Sequence, residues 1–199
     1  MSQSIDYYLT PQSPWTYLGH ARFAAIANAA DAGVRVLPVD LSRVFPVSGG
    51  LPLPQRAPQR QAYRLVELRR WASHLGLPIN LQPAFFPVSG DDASRLILTV
   101  REQDGAAAAM TLTGAILRAV WVEERNISDP AELTAMLTDR GLPIARIEES
   151  RSADIHALYE ATSQQAIDRA IFGAPSYVID GELFWGQDRL DFVQRRLLG

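Results

Sequence analysis

Ser4-Ile5-Asp6-Tyr7-Tyr8-Leu9-Thr10-Pro11-Gln12-Ser13-Pro14-Trp15-Thr16-Tyr17-Leu18-Gly19 passes from strand chemistry to helix chemistry in one short step. Ile5 to Leu9 is apolar and aromatic, as a short buried strand requires. Ser13 has the chemistry of an N-cap, and Pro14 stands at the first helical position, where a missing N–H costs nothing. The alanine-rich stretch from Pro14 to about Ala30 continues as helix, and Gly33 is expected to stop it. Val34-Arg35-Val36-Leu37-Pro38-Val39-Asp40 then reads as a second strand. A strand, helix and strand of this length form a βαβ unit with parallel strands. The helix start after Ser13 presents free N–H groups and the positive end of a helix dipole, which favour an anion.

Beyond this unit the pattern changes. From Phe45 to Pro58 the prolines at 46, 52, 54 and 58 and the Gly49-Gly50 pair predict a long loop. Helices are expected over Gln59–Leu75, Asp91–Arg101 and Ala106–Glu124. Asp129-Pro130-Ala131-Glu132 is a capping box that opens a helix ending near Gly141, and another helix covers Ala153–Arg169. Strands return only at the end. Ser176-Tyr177-Val178-Ile179, Asp180-Gly181 and Glu182-Leu183-Phe184-Trp185 read as a tight hairpin, because Asp-Gly is a strong two-residue turn signal. A last helix runs from about Asp188 to Leu198. The order βαβ, long helical stretch, ββα defines an α/β thioredoxin-like domain with an all-helical insertion. Residues 1–44 and 170–199 make the discontinuous thioredoxin-like part, and residues 45–169 the inserted loop and helices.

Composition narrows the chemistry. The chain has 199 residues, 47% hydrophobic and 21% charged, with a formal net charge of −3. That is ample for an ordinary core. With no basic run, nucleic acid is not expected as a partner. No apolar stretch is long enough to span a bilayer, and Met1-Ser2-Gln3-Ser4 lacks the pattern of a signal peptide, so a cytoplasmic protein without a membrane partner is expected. There is no cysteine, and all 19 basic residues are arginine. Thiolate catalysis by the protein itself, disulfides, sulfur-ligated metals and lysine Schiff bases are thereby excluded. The histidines at 20, 74 and 156 are too scattered to suggest a metal site, and none is expected.

Three short segments carry candidate site residues. Ser13 could be only a cap, or its hydroxyl could donate to an anion at the helix start. Phe172-Gly173-Ala174-Pro175-Ser176 could simply end a loop. Alternatively, a cis Ala174–Pro175 bond could face that helix, with the Ala174 backbone pairing to an extended peptide. In Trp185-Gly186-Gln187-Asp188-Arg189, Asp188 could be a cap or half of a solvated ion pair. It could also take an ammonium beside backbone N–H groups that hold a carboxylate.

Taken together, S-P-W-T-Y-L, F-G-A-P-S-Y and G-E-L-F-W-G-Q-D-R-L-D-F-V resemble the 2-hydroxychromene-2-carboxylate isomerases. These are grouped with kappa-class glutathione transferases and the disulfide-oxidoreductase-like branch of the thioredoxin superfamily. The resemblance extends over essentially the whole chain, including A-Y-R-L-V-E-L-R-R-W of the helical insertion. It implies glutathione as cofactor, with Ser13 as catalytic serine where related folds carry C-x-x-C. It implies glutathione contacts at Ala174, Pro175, Trp185, Gly186, Gln187 and Asp188, and substrate contacts around Phe45, Gln55, Arg56 and Phe85. It further implies a small aromatic substrate and a homodimer. Two positions depart from the family pattern. Gly50 stands where many members have asparagine, and Phe45 stands where members of naphthalene pathways tend to have lysine. A basic anchor for a substrate carboxylate must then come from Arg43, Arg56 or Arg60, or the substrate differs. The expected activity is glutathione-dependent isomerisation of hydroxychromene or benzylidenepyruvate acids. The rivals are a conjugating, kappa-class-like transferase on the same scaffold and a thioredoxin-like binding protein without chemistry.

Overall fold

The computed structural model describes residues 3–199. Strand β1 (Ser4–Leu9) lies inside a four-stranded sheet of order β2-β1-β3-β4, between β2 (Gly33–Pro38) and β3 (Ser176–Ile179), with β4 (Glu182–Trp185) outermost. β1 pairs parallel to β2 and antiparallel to β3, and β3 pairs antiparallel to β4. Side chains alternate between two buried faces, as strand geometry dictates. Ile5, Tyr7, Val36, Tyr177 and Ile179 point into a large cluster with Phe23, Leu96, Ile116 and Trp121. Tyr8, Leu37 and Val178 point into a smaller one with Val44 and Ala166. Because both faces are covered, the strands read as nearly continuous apolar runs. The β3–β4 turn is Asp180-Gly181, with φ of 49° and 85°, the left-handed pair that a tight hairpin turn demands.

Helix α1 (Pro14–Ala29) starts where the sequence indicates: the Ser13 hydroxyl oxygen accepts from the Thr16 N–H at 3.2 Å. Its end differs from expectation. The left-handed residue after the helix is Asp31 at φ 48°, and Gly33 already belongs to β2. The expected loop from Phe45 to Pro58 is also corrected. Helix α2 (Leu41–Ser48) continues through Pro46, and Leu53–Gln55 forms a 3₁₀ turn. Asp40 caps α2 by accepting from the Ser42 N–H at 2.8 Å, and Val44 is buried in the smaller cluster. These two effects outweigh the single helical bond that Pro46 cannot donate.

The helical part consists of α3 (Pro58–Leu75), α4 (Asp91–Asp104), α5 (Ala106–Trp121), α6 (Pro130–Thr138), α7 (Arg146–Glu149) and α8 (Ala153–Asp168). Two details depart from the sequence reading. Asp129 caps α6 through the Ala131 N–H, but Glu132 pairs with Arg125 at 2.6 Å instead of closing the box. Short α7 carries no periodic apolar signal. It is held by Arg146, which forks onto Asp104 at 2.8 and 2.9 Å. At the C-terminus the expected single helix divides into a 3₁₀ turn, Gln187–Arg189, and α9 (Leu190–Leu198). Among the described residues no helix is long and apolar enough to cross a membrane.

Candidate active site

Ser13 is half-exposed at the head of α1. As an N-cap its oxygen accepts one hydrogen bond, which leaves the hydroxyl hydrogen free to donate elsewhere. The Trp15 N–H has no acceptor among the described residues, and Pro14 has no N–H. The head of α1 therefore offers one hydroxyl and one amide donor on the positive end of a four-turn helix.

Sheet register brings the other segments to this point. Tyr8 pairs with Ser176, so Pro175 lies in line with Leu9, at the strand end that leads into Thr10–Ser13. The Ala174–Pro175 bond is cis. Neither the N–H nor the C=O of Ala174 has a hydrogen-bond partner among the described residues. The Gly186 N–H donates to the Pro175 carbonyl at 2.9 Å, which ties the Trp185–Asp188 segment to the proline loop. Trp185 is exposed and meets Phe172 edge-on at 4.8 Å between ring centres. Gln187 is buried against α1, where a Cβ at Gly19 would stand 2.7 Å from the Gln187 Cβ. Its carbonyl oxygen has no partner, and the N–H groups of Gln187 and Asp188 have no acceptor among the described residues. The Asp188 carboxylate is paired with Arg189 at 2.8 Å in a half-exposed position. The helix start near the N-terminus and two segments flanking the C-terminal hairpin thus share one corner of the fold.

The residues assigned to substrate lie on other elements. Phe45 is half-buried in α2, and its ring fills the space that a side chain at position 50 would need: a Cβ there would collide with it. Phe45 and Gly50 are thereby in direct contact, and no side chain fits at position 50 while this ring is in place. Gln55 is exposed in the 3₁₀ turn. Arg56 is half-buried, and its Nε donates to the Leu51 carbonyl at 2.8 Å. Arg43 reaches the Glu160 carbonyl at 3.4 Å. Phe85 is exposed on the wall of an open cavity of about 500 Å³ formed by Ala84 to Ser89 with Asn126 and Ser128. The loop carrying Phe85 runs back to the segment just before Ser13: a Cβ at Gly90 would collide with the side chains of Gln12 and Pro11. No hydrogen bond or ion pair among the described residues joins Phe45, Gln55 or Arg56 to Ser13.

Sequence reasoning did not single out His20. It is buried in the second turn of α1, with Nε2 on the Met110 carbonyl at 3.0 Å and Nδ1 3.1 Å from the Tyr7 hydroxyl. A carbonyl can only accept, so Nε2 carries the proton and Nδ1 accepts from Tyr7. Burial drives the His20 pKa down to about 4, against the opposing pull of the Met110 carbonyl. Burial also raises the Tyr7 hydroxyl well above the ordinary tyrosine range. Both groups are neutral at physiological pH and brace α1 against β1. Arg64 was likewise not singled out, although Arg56, Arg60 and Arg64 recur at a four-residue interval that the sequence displays.

The model of the DSBA-like thioredoxin domain matches residues 4–198, so the chain belongs to that family. Within it, the chain is similar over its full length to enzymes of one activity. It is 30% identical to a 2-hydroxychromene-2-carboxylate isomerase of Sphingobium xenophagum, covering 100% of both chains. It is 27% identical to the one of Pseudomonas putida, covering 96% of this chain and 92% of that one. A solved 2-hydroxychromene-2-carboxylate isomerase superposes with a TM-score of 0.81 at 27% identity, over 98% of this chain and 94% of that one. These likenesses support an enzyme, and an isomerase.

Proposed function

We propose that the protein is a glutathione-dependent isomerase of aromatic acids of the 2-hydroxychromene-2-carboxylate and hydroxybenzylidenepyruvate type. The observation that carries the proposal is the free donor pair at the head of α1 in a protein with no sulfur nucleophile of its own.

The residues present fit a small extended peptide that bears a thiol, two carboxylates and an ammonium. Ala174 has an unpaired N–H and C=O for the peptide backbone. The N–H groups of Gln187 and Asp188 would take a carboxylate, and the Asp188 carboxylate would take the ammonium in exchange for Arg189. When bound, glutathione would supply a thiolate that adds to a conjugated carbon of the substrate, makes the double bond rotatable, and leaves again unchanged. Ser13 and the Trp15 N–H would hold that sulfur in its anionic form. A free thiol has a pKa of about 8.5, and lowering it by two units requires about 2.7 kcal/mol of differential stabilisation. One charge-assisted hydrogen bond and a helix end together reach that magnitude. Ser13 needs no proton transfer for this role; it donates throughout and stays a cap.

The test is to follow interconversion of 2-hydroxychromene-2-carboxylate and its open-chain isomer with and without glutathione, and to assay glutathione afterwards. Glutathione-dependent turnover with undiminished glutathione is expected. Loss of glutathione into a conjugate would assign the protein to the transferases, and turnover that ignores glutathione would overturn the reading.

A further inference from the structure

Arg64 lies on α3 with its guanidinium over two rings, 5.4 Å from the centre of Phe86 and 5.8 Å from that of Trp121. It has no hydrogen-bond or ion-pair partner among the described residues. Arg60 precedes it by one helical turn, and Arg56 lies just before the helix, after the 3₁₀ turn Leu53–Gln55. Neither of these meets a carboxylate among the described residues either, since the Arg56 Nε is spent on a backbone carbonyl. The nearest acid on the helix, Glu67, is committed to Arg70. Burial pulls Arg64 down to about 10, and the charge of Arg56 adds to that effect. Arg56 is lowered by burial and then by Arg60. Half-buried charges are ordinarily paired, because desolvation without a partner is costly. Arg64 and Arg56, two half-buried like charges without a counter-ion, are therefore incomplete as a structural feature.

The surroundings define the missing partner. Contact with the Phe86 and Trp121 rings holds the Arg64 guanidinium in place, and its planar fork is matched by a planar carboxylate. Phe86 belongs to the loop that reaches Gln12 at Gly90. Four residues of chain span at most about 14 Å. The cluster is thereby tied to the Ser13 corner by a short tether, on the side where the loop exposes Phe85.

We propose that Arg64, flanked by Arg56 and Arg60, is a carboxylate subsite that seats the acid group of a planar aromatic acid. It deepens the function proposed above and rests on it for the identity of the natural ligand. It also supplies a basic anchor in a chain that has phenylalanine at position 45.

Calorimetric titration of the intact protein with cinnamate tests the subsite. The titration needs neither glutathione nor turnover, so its outcome stands apart from that of the isomerase assay. Cinnamamide, which lacks the charge, and inorganic phosphate, which lacks the ring, serve as comparison probes. The wild-type protein is expected to bind cinnamate at least tenfold more tightly than either. Arg64→Gln should lose at least tenfold in cinnamate affinity and leave cinnamamide unchanged, and Arg64→Lys should recover part of the loss. Arg56→Gln, which does not touch the aromatic stack, should weaken cinnamate severalfold and decides the question if Arg64→Gln does not fold. Equal binding of acid and amide, phosphate binding as tight as cinnamate, or folded variants that bind cinnamate like the wild type would each overturn the subsite.

Discussion

Burial fixes the charge of His20, and with it a pH dependence of the whole fold. Its pKa falls from 6.5 in the unfolded chain to about 4 in the fold. The unfolded chain therefore takes up a proton in this window that the folded chain refuses. Stability is complete above pH 6.5, falls as the pH drops toward 4, and levels off below. The loss amounts to roughly 3 kcal/mol. His20→Gln keeps a donor for Met110 and an acceptor for Tyr7 but does not titrate. In chemical denaturation between pH 7 and 5, the wild type is expected to lose stability relative to this variant as pH falls. Parallel curves would show that His20 has the same pKa in the folded and unfolded chains. The sequence did not announce this role, because a lone histidine on a helix gives no clue to what packs on it. Ser13 was legible, since S-P is a helix start whatever else it does. What it could not reveal is that one lone pair is spent on Thr16 while the hydroxyl hydrogen remains free.

At the scale of elements, α2 and the turn after it depend on one contact. The Phe45 ring occupies the space beside Gly50. Gly50→Asn alone should cost about 1–3 kcal/mol by overpacking. With Phe45→Lys in the same chain much of that cost should disappear, because the lysine can swing into solvent. A double-mutant cycle by thermal unfolding reads the coupling, expected to be about 1 kcal/mol or more; additive costs would separate the two positions. The proline count concealed α2, because Pro46 removes only one helical bond while the Asp40 cap and buried Val44 hold the rest. The βαβ unit and the hairpin were legible because their signals are local: apolar runs, an S-P start and an Asp-Gly turn. The corner that joins Ala174, Gly186 and Gln187 to α1 rests on strand register and on close approach at Gly19, neither of which periodicity encodes.

At the scale of the molecule, one apolar cluster joins the sheet to the helical insertion: Ile5, Phe23 and Tyr177 share it with Leu96, Ile116 and Trp121. Urea unfolding followed by tryptophan fluorescence and by far-ultraviolet circular dichroism should therefore give one coincident transition. Separated transitions would mean that the helical part folds by itself. This continuity also positions the site, since α1 is held between the sheet and α5 and carries Ser13 at its head. The central claim is that this head lowers the pKa of a bound thiol. The direct measurement is the ultraviolet thiolate absorbance of glutathione bound to the protein, titrated against pH in the wild type and in Ser13→Ala. Loss of the cap should cost only about 1 kcal/mol of stability, so the variant remains folded. The wild-type midpoint should fall about one to two units below the free-thiol value of about 8.5, and Ser13→Ala should return it at least half of the way. Identical midpoints in the two proteins, both at the value of free glutathione, would contradict the account.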